Sequence, residues 1–561
     1  MSKFRVAVRE IKRKISFLRQ WLRRQRHRHF PDLETRRYRE WIARHVHERS
    51  EIYTAPVPSG LLSILTAVWD GSPANYLQAL ANSIQLQNAE GACEWVILDN
   101  GCARREIQDC LHRLRERPWI RVYRSEENLG IIRGLRFCLE RAATRYVLPV
   151  DGDDQLYPDA LKVVATHIKR SGYPPILYTD EDKISDTGVS QPYFKPDWDP
   201  VLLGNLAYIA HLGVIDRQES LRLGAYCDSV AEGSPDWELF LRFAAAGHAA
   251  VHIPEVVYNW RMHSTSTAED AQSKSYVMRS QTAVLSNFLM ARGLAERFSI
   301  ENSPFFPGAP HWHLARRHTD PKPMTCILLT QDGASQPRFR EVGSYPAASV
   351  IRVDLRSDPR SLASLAGELA SREELLCFMR EDLAIENADW GWEALGLFEL
   401  FPDTVMLGGL IRNETGEILE AGLQLGYRGA CGSPDRGRKR SDPGYFGQAW
   451  KQRSVSAVSL HCAVVKPTFL LETLQQLPPG ASLPFLGAWL GAYALRKGGR
   501  VVYSPFLGGA CNTAWNASIT IDEENLFTSL NRDILPDRRY YPKPFSLREG
   551  YVLDSHEPAV T

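Results

Sequence analysis

Three carboxylates follow a buried apolar run in the stretch YVLPVDGDDQLYPDAL, residues 146–161. Asp151, Asp153 and Asp154 fall within four positions, and like charges this close raise one another's pKa unless a cation or hydrogen-bond donors offset them. A divalent metal ion would remove the conflict, because hard cations take oxygen ligands. The alternative is a solvated Asp-rich turn that caps the following helix. The residue types alone leave both interpretations open.

The surrounding sequence predicts the elements that position these carboxylates. Predicted strands, each followed by a helical pattern, occupy residues 63–69, 95–98, 120–124 and 146–150. Such alternation is typical of an α/β fold with a mostly parallel sheet and helices on both faces. Ligands of these sheets bind at the carboxyl ends of the strands. Asp99 and Asn100 end the second strand, so we expect them to lie in the same site as the carboxylates.

A series of short motifs resembles family 2 glycosyltransferases, which are inverting enzymes with a Rossmann-like GT-A fold. The motifs are SILTAVWDG, EWVILDNGC, NLGIIRGL, YVLPVDGDD, LYTDEDKI, FKPDW, SPDWELFLRF and IPEVVYNWRMHSTSTA, in the family's order over roughly residues 60–270. The resemblance implies a nucleotide-sugar donor, a glycan or lipid-linked glycan acceptor, and Mn²⁺ or Mg²⁺ as cofactor.

The resemblance also implies a metal site. Asp151 and Asp153 match the family's DxD motif, with Asp153 as its metal-binding residue, and His263 matches a late histidine that completes the metal shell in related enzymes. A metal held there neutralises the charge that grows on the leaving diphosphate. Asp154 is given a lesser role, beside the metal ligands or at the start of the next helix. An exposed loop histidine is the alternative for His263.

The resemblance places the catalytic base at Asp236, in the motif SPDWELFLRF. A base must reach the proton of the acceptor hydroxyl and have a pKa suited to the working pH. The alternative makes Asp236 only the N-cap of the helix that follows. Glu238, two residues later, is the second candidate for the base.

Other positions match the nucleotide-binding and acceptor sides of the family. The candidates for nucleotide and substrate binding are Ala67, Asp99, Asn100, Gly130 and Asp151. Arg133 and Arg136 stand where family members often have a small residue and Asn, and they either pair with phosphate or are solvated helix charges. Lys183 and Lys195 fall on the acceptor side, where pairing with neighbouring carboxylates is the alternative.

The second half resembles an eroded copy of the same domain. Its motifs are TCILLT, LLCFMREDLAIENADW, GGLIRNETGEILEAGLQLG and GGRVVYSP, within residues 325–515. The interval from the first strand to Glu381 and Asp382 is shorter by roughly one strand–helix unit. Gly487 stands where the catalytic carboxylate is expected. We therefore expect a non-catalytic, truncated GT-A-like domain that positions the acceptor, a partner or the first domain.

These patterns predict five segments. They are a basic amphipathic helical segment at 1–56, a GT-A catalytic domain at 57–300, a linker at 301–324, a degenerate glycosyltransferase-like domain at 325–520 and a tail at 521–561. The fold class is α/β throughout the two larger segments.

Composition limits the cellular setting. The 561 residues carry a net charge of +1, and no run approaches the ~20 apolar residues that a spanning helix needs. The first thirty residues are basic and do not resemble a secretory signal. Ten cysteines without a CxxC pair indicate reduced thiols rather than disulfides or a zinc site. We therefore expect a cytoplasmic protein.

The N-terminal segment concentrates positive charge. Residues 1–56 hold sixteen Lys/Arg against six Asp/Glu. Apolar residues spaced by three and four give residues 1–29 one helical stripe, which suits an anionic membrane surface such as the inner face of the cell membrane. Packing on the protein itself or a short coiled coil is the alternative. No basic face interleaved with aromatics follows, so we expect no nucleic acid partner.

The favoured function is sugar transfer to a cell-surface polysaccharide or lipopolysaccharide precursor. One alternative is a glycan-binding scaffold in which both copies are inactive, although Asp151, Asp153 and Asp236 argue against it. The other is a nucleotidyltransferase, which also places carboxylates at strand ends. Those enzymes usually have a Gly- and Arg/Lys-rich phosphate loop after the first strand, and SILTAVWDG has none.

Overall fold

The computed structural model describes residues 31–88, 91–262, 271–331, 345 and 349–554. The predicted amphipathic stripe within residues 1–29 lies outside these ranges. Within them, none of the helices combines the length and the apolar character needed to cross a bilayer.

Helix α1 (Pro31–Ile52) is fixed to the first sheet by buried charges. Arg49 has no exposed surface and donates two hydrogen bonds of 2.7 Å to the carboxylate of Asp159. His45 lies 2.6 Å from Glu255. Buried charges are tolerated when they are paired and fully hydrogen-bonded, so the position of α1 is specified by its partners and not only by its apolar face.

The first sheet follows the predicted alternation of strands and helices. Its strands are β1 (Leu62–Val68), β2 (Glu94–Asn100), β3 (Ile120–Ser125), β4 (Tyr146–Pro149), β5 (Gln155–Leu156), β6 (Ile176–Ser185), β7 (Gly188–Tyr193), β8 (Gly213–Asp216) and β9 (Val251–Arg261). The helices are α2 (Ala74–Gln87), α3 (Arg105–Leu114), α4 (Gly130–Arg141), α5 (Ala160–Arg170), α6 (Pro200–Leu203), α7 (Arg217–Leu223) and α8 (Pro235–Ala245). The strand order is β3–β2–β1–β4–β8–β6–β9–β5, with β7 paired to β6. β1 is parallel to β2 and β4, whereas β8 is antiparallel to both of its neighbours.

Both faces of this sheet are covered, which explains its continuous apolar strands. Leu65 of β1 packs in the core that includes Leu135 of α4. Its neighbour Ile64 points to the opposite face and packs in the core that includes Leu80 of α2. Asp99 and Asn100 lie at the carboxyl end of one of these strands, β2. This arrangement confirms the predicted α/β fold class.

A connecting region leads to the second sheet. It comprises α9 (Ala271–Ala291) and the hairpin β10 (Phe298–Asn302) and β11 (Trp312–Arg316). The strands that follow are β12 (Met324–Thr330), β13 (Ser349–Asp354), β14 (Leu375–Arg380), β15 (Ala384–Ile385), β16 (Thr404–Arg412), β17 (Ile418–Ala421), β18 (Gln424–Leu425), β19 (Cys431–Gly432), β20 (Arg453–Val455), β21 (Cys462–Val465) and β22 (Arg500–Ala510). The helices are α10 (Ala363–Ser371), α11 (Trp390–Leu400), α12 (Pro467–Leu474), α13 (Leu486–Lys497) and α14 (Ile521–Leu530).

The second sheet repeats the topology of the first. Its order is β13–β12–β14–β21–β16–β22–β15, which matches β2–β1–β4–β8–β6–β9–β5 strand by strand. β12 and β14 are parallel like β1 and β4, and β21 is antiparallel to both neighbours like β8. Among the described residues, β3 has no counterpart. The second copy predicted from the sequence is therefore present as a nine-stranded sheet of the same design, without the β3 position among the described residues.

The two halves share one hydrophobic core. Trp237 of α8 belongs to the same buried cluster as Trp392 of α11 and Val502 of β22. Asp199, which caps α6, also accepts hydrogen bonds of 2.7 Å from the backbone N–H and the hydroxyl of Ser454. Separating the halves would expose apolar surface and remove the two Ser454 donors from the buried carboxylate of Asp199.

Candidate active site

The carboxylate-rich stretch lies where β4 ends, at the carboxyl edge of the parallel strands. Asp151 and Asp154 converge there with His211, and one ligand atom from each lies within 4.8 Å of the others. The His211 Nε2 atom is 3.9 Å from Asp151 Oδ2. Asp153 lies outside this Asp–Asp–His group, and His263 lies outside the described residues. The structure thus places Asp154, for which the sequence predicts a lesser role, beside Asp151 and a histidine that the motifs do not indicate.

Asp154 is held in place by groups from a distant strand. The hydroxyl of Tyr258 donates to one of its oxygens at 2.5 Å, and the backbone N–H of Arg261 donates to the other at 2.7 Å. Burial, with the Asp151 charge next, raises the pKa of Asp154 to about 8. Burial in the cleft also raises the pKa of Asp151, although 59% of its side chain stays exposed. Burial disfavours the ionised form of both carboxylates, and a cation bound between them would stabilise that form.

His211 connects this group to a buried ion pair. Its Nδ1 atom is 3.5 Å from Glu181 Oε2, and its ring stacks on Tyr258 with centroids 5.1 Å apart. Burial lowers the pKa of His211, but the carboxylates of Glu181 and Asp236 outweigh it and raise the pKa to about 10. Charges of alternating sign therefore line the cleft.

Lys195 is buried and pairs with Glu181, the carboxylate that contacts His211. Its Nζ atom lies 3.2 Å from Glu181 and donates to the carbonyls of Ala210 and His211 at 2.7 and 2.5 Å. It thus holds the backbone that carries the histidine. Lys183 is instead bound to Gln191 at 3.1 Å. The alternative of pairing with a carboxylate therefore describes Lys195 and not Lys183.

Asp236 lies in the first turn of α8, after Ser234 at the N-cap position. Burial raises the pKa of Asp236, and Glu181 adds to the rise while His211 opposes it. The carboxylate therefore shares the electrostatic environment of the Asp–Asp–His group. Within the described part of the chain it accepts no hydrogen bond from another side chain. An N-cap role does not explain this residue.

Glu238 faces other partners. It is buried and binds Arg242, four residues later, with an Nε–Oε1 distance of 2.7 Å. Burial raises its pKa and Arg242 opposes the rise. The side chain is thus engaged in a structural ion pair along α8.

The candidates for nucleotide binding meet at the ends of β1 and β2, and much of their hydrogen-bonding capacity is already used. Asp99 binds Arg124 at 2.6 Å. Asn100 accepts from the N–H of Leu129 at 2.7 Å and donates to the carbonyl of Gly130 at 3.1 Å. Asn100 therefore shapes the loop before α4.

Two further contacts complete this edge. A Cβ on Gly134 would lie 3.2 Å from the Cβ of Ala67, so the small residue in β1 allows α4 to pack closely. Arg133 donates to the carbonyl of Leu129, and Arg136 binds Glu140 at 2.7 Å. Arg136 also donates to the carbonyl of Ala225 at 3.1 Å, so both arginines are engaged within the protein.

Glu232 is a site residue that the motifs did not indicate. Its carboxylate accepts from the N–H groups of Ile131 at 2.5 Å and Ile132 at 3.1 Å, at the positive end of α4. A Cβ at Gly130, which has φ of +76°, would lie 2.2 Å from Glu232. The contact ties the segment before Asp236 to the start of α4. In the sequence, an acidic residue four positions before Asp236 was the available signal.

The second sheet keeps the strand arrangement of the first but lacks the carboxylates of the Asp–Asp–His group. Tyr146 and Leu375 hold equivalent register positions, and β5 and β15 each begin nine residues later. In this common register, Arg380 occupies the position of Asp151, and Leu383 occupies that of Asp154. The antiparallel strands likewise place His461 at the position of His211. A histidine without its two carboxylates is no counterpart of the Asp–Asp–His group.

Gly487 is the second residue of α13, as Asp236 is of α8. A Cβ at Gly487 would lie 2.1 Å from the carbonyl oxygen of Val458. The backbone of this neighbouring segment fills the space that a catalytic side chain would need. The close packing at Gly487 therefore agrees with the prediction that this position has no catalytic carboxylate.

Replacing Glu381 with Gln and Asp382 with Asn together is expected to leave sugar transfer within about twofold of the wild type, because these residues serve local contacts. Glu381 accepts from the N–H of Gln331 at 2.7 Å, and Asp382 pairs with Arg380 at 2.9 Å. Initial rates at saturating donor would check this. Selective loss of one of two distinguishable transfers would instead identify a second active site.

Comparison with known proteins matches residues 63–200 to the family described as Glycosyl transferase family 2. The "Uncharacterized protein y4gI" of Sinorhizobium fredii is 26% identical over 441 residues, which cover 72% of this chain and 48% of that protein. The "O-antigen biosynthesis protein RfbC" of Myxococcus xanthus is 24% identical over 401 residues, which cover 67% of this chain and 31% of that protein. The chain thus spans less than half the length of either relative.

Two crystal structures of S. aureus TarS residues 1–349 are also similar. The first is 17% identical with a TM-score of 0.32 and covers 41% of this chain and 71% of that one. The complex with UDP-GlcNAc is 16% identical with a TM-score of 0.33 and covers 41% and 72%. The family match confirms the resemblance seen in the motifs: the chain contains a glycosyl transferase family 2 domain at residues 63–200.

Proposed function

We propose that this chain is an inverting glycosyltransferase that moves a sugar from a nucleoside diphosphate donor to a hydroxyl group of a cell-surface polysaccharide or lipopolysaccharide precursor. The observation that carries the proposal is the Asp–Asp–His group of Asp151, Asp154 and His211, which shares one cleft with Asp236. The family match and the printed name of the Myxococcus relative support the class of reaction and of acceptor.

The donor set fits Mn²⁺ or Mg²⁺. Asp151, Asp154 and His211 would hold the ion, and Asp153 and His263 are the alternatives that the family resemblance implies. Two carboxylates whose pKa values are raised by burial are the kind of ligands that a hard cation relieves. When bound, such an ion neutralises charge on the leaving diphosphate.

Asp236 would act as the base that takes the proton of the acceptor hydroxyl. Burial raises the pKa of Asp236, so its ionised carboxylate is a stronger base for the hydroxyl proton than an exposed one. Asp99, Asn100, Ala67 and Gly130 would form the floor and edge of the nucleotide pocket. Their mutual contacts keep that pocket in shape before the donor binds.

The remaining segments have supporting roles in this proposal. Residues 57–300 form the catalytic unit, residues 301–324 the linker and residues 325–520 a non-catalytic unit that shares its core. The tail at 521–561 follows. Residues 1–29 would bring the protein to an anionic membrane surface, where lipid-linked acceptors are found.

A thermal-shift screen of nucleotide sugars tests the proposal directly. A donor that binds only the folded chain raises the unfolding temperature by mass action, so UDP-, dTDP- or GDP-sugars should give a shift that requires Mn²⁺ or Mg²⁺. Donor hydrolysis should accompany the shift. If no donor stabilises the protein, with or without metal, the scaffold alternative is favoured instead.

A further inference from the structure

A second concave site lies away from the Asp–Asp–His group. It is an open groove with a volume of about 980 Å³, formed where the linker meets three parts of the second half. Phe305 comes from the linker, and loops at 415–417 and 439–441, with Trp450, supply the rest. None of the residues discussed for the candidate active site lines it.

Two aromatic rings form the floor of the groove. Phe305 and Trp450 are half-buried and stack with centroids 6.2 Å apart and an interplanar angle of 27°. Phe306 packs edge-on against Trp450 at 5.3 Å, and the indole N–H donates to the carbonyl of Arg440 at 3.1 Å. The rings are therefore fixed before any ligand arrives. A rigid aromatic face is suited to the apolar C–H face of a sugar ring.

The rim of the groove carries hydroxyl groups and charges. Thr415 and Ser441 are exposed, as are the cations Lys439 and Arg440. Among the described residues neither cation has an ion-pair partner. Glu417 is the single carboxylate of the lining, and it accepts from the amide of Asn413 at 3.3 Å. The rim thus has excess positive charge beside hydrogen-bonding groups.

The segment that contains Trp450 also contacts the first half of the chain. The segment Tyr445–Trp450 forms two short helical turns separated by a kink at Phe446 and Gly447, and Phe446 stacks on Tyr193 with centroids 3.9 Å apart. Tyr193 is the register partner of Glu181, which contacts His211. The segment that supplies Trp450 to the groove therefore also packs on β7 of the first sheet.

We propose that the groove binds an anionic oligosaccharide segment of the acceptor glycan, several sugar units from the hydroxyl that reacts. The aromatic floor takes the sugar rings, and Lys439 and Arg440 take carboxylate or phosphate groups of the glycan. The site would give the second half a role in choosing the acceptor without chemistry of its own. This assignment rests on the proposed transferase function.

The test uses the full chain and two probes, oligogalacturonate as an acidic glycan and a malto-oligosaccharide of equal length as a neutral one. Isothermal titration should show binding of the acidic probe that weakens as salt rises. Trp450→Ala should weaken it by roughly tenfold or more, as expected for an aromatic anchor, whereas Trp450→Phe should keep most of the affinity. Lys439→Ala with Arg440→Ala should also weaken binding.

Arg115→Ala with Arg117→Ala removes two cations of the first half and is the matched control, expected to bind like the wild type. Absence of binding to the acidic probe, equal binding of the neutral probe, or wild-type affinity in Trp450→Ala would each overturn the proposal. The donor-dependent thermal shift should persist in every variant. If that shift is absent already in the wild type, the proposed transferase function fails rather than the groove.

Discussion

Replacing Asp236 with asparagine is expected to lower the rate of sugar transfer by about 10²–10⁴-fold, the usual contribution of a general base. Asparagine keeps the shape of the side chain in the first turn of α8 but cannot accept the hydroxyl proton. Donor affinity should change by no more than about twofold, because the base acts in the transition state more than in the ground state. Single-turnover rates and donor thermal shifts on the same preparation would measure both quantities.

Glu238→Gln is the control for this prediction. It removes the charge that binds Arg242 on the same helix and should lower stability while transfer below the unfolding temperature stays near that of the wild type. An inactive but folded Glu238→Gln, together with an active Asp236→Asn, would identify Glu238 as the base.

The first sheet could be predicted from the sequence because its strands are buried on both faces. SILTAV and WVIL are nearly continuous apolar runs, and each is followed by a helix with one apolar stripe. Few other folds bury such a pattern. Asp99 and Asn100 lie at the carboxyl end of β2, and Asp151 and Asp154 follow β4. Because the carboxyl ends of parallel strands meet at one edge of the sheet, these residues could be predicted to lie close together.

The identity of the converging side chains could not be predicted in the same way. His211 is sixty residues from Asp151 along the chain, and it arrives through the antiparallel strand β8. No local period marks a residue just before a short strand. Asp153 and Asp154 are adjacent, and which of them turns inward depends on Tyr258 and Arg261, about a hundred residues later.

In the second half, the position without a catalytic carboxylate could be predicted from the sequence, but the register of the strand ends could not. Gly487 is predicted to occupy the position of the missing base, and the structure gives the reason, because the carbonyl of Val458 fills the space that a side chain would need. Glu381 and Asp382 are two carboxylates that follow β14, as Asp151 and Asp153 follow β4. The strand register instead gives the equivalent of Asp151 to Arg380, whose positive charge binds Asp382. Composition at a strand end does not reveal register.

Asp151→Asn is expected to abolish the metal-dependent part of the donor thermal shift, and His211→Ala to weaken it. Both variants remove a ligand atom from the Asp–Asp–His group, and even the partners that orient metal ligands typically matter by about 10–100-fold in metal affinity. The metal-free protein should respond differently. Because its surroundings disfavour the charged form of Asp151, the asparagine variant should unfold at a temperature no lower than that of the wild type.

Asp153→Asn and Asp154→Asn distinguish the two assignments of the second carboxylate. Asp154 lies in the Asp–Asp–His group and Asp153 does not, so only Asp154→Asn should lose the Mn²⁺-dependent shift. Its unfolding temperature without metal must be measured alongside, since Asp154 also accepts hydrogen bonds from Tyr258 and Arg261. Retention of the shift in Asp154→Asn and its loss in Asp153→Asn would return the metal to the DxD motif. The cluster at the end of β4 would then have to rearrange when the donor and the ion bind.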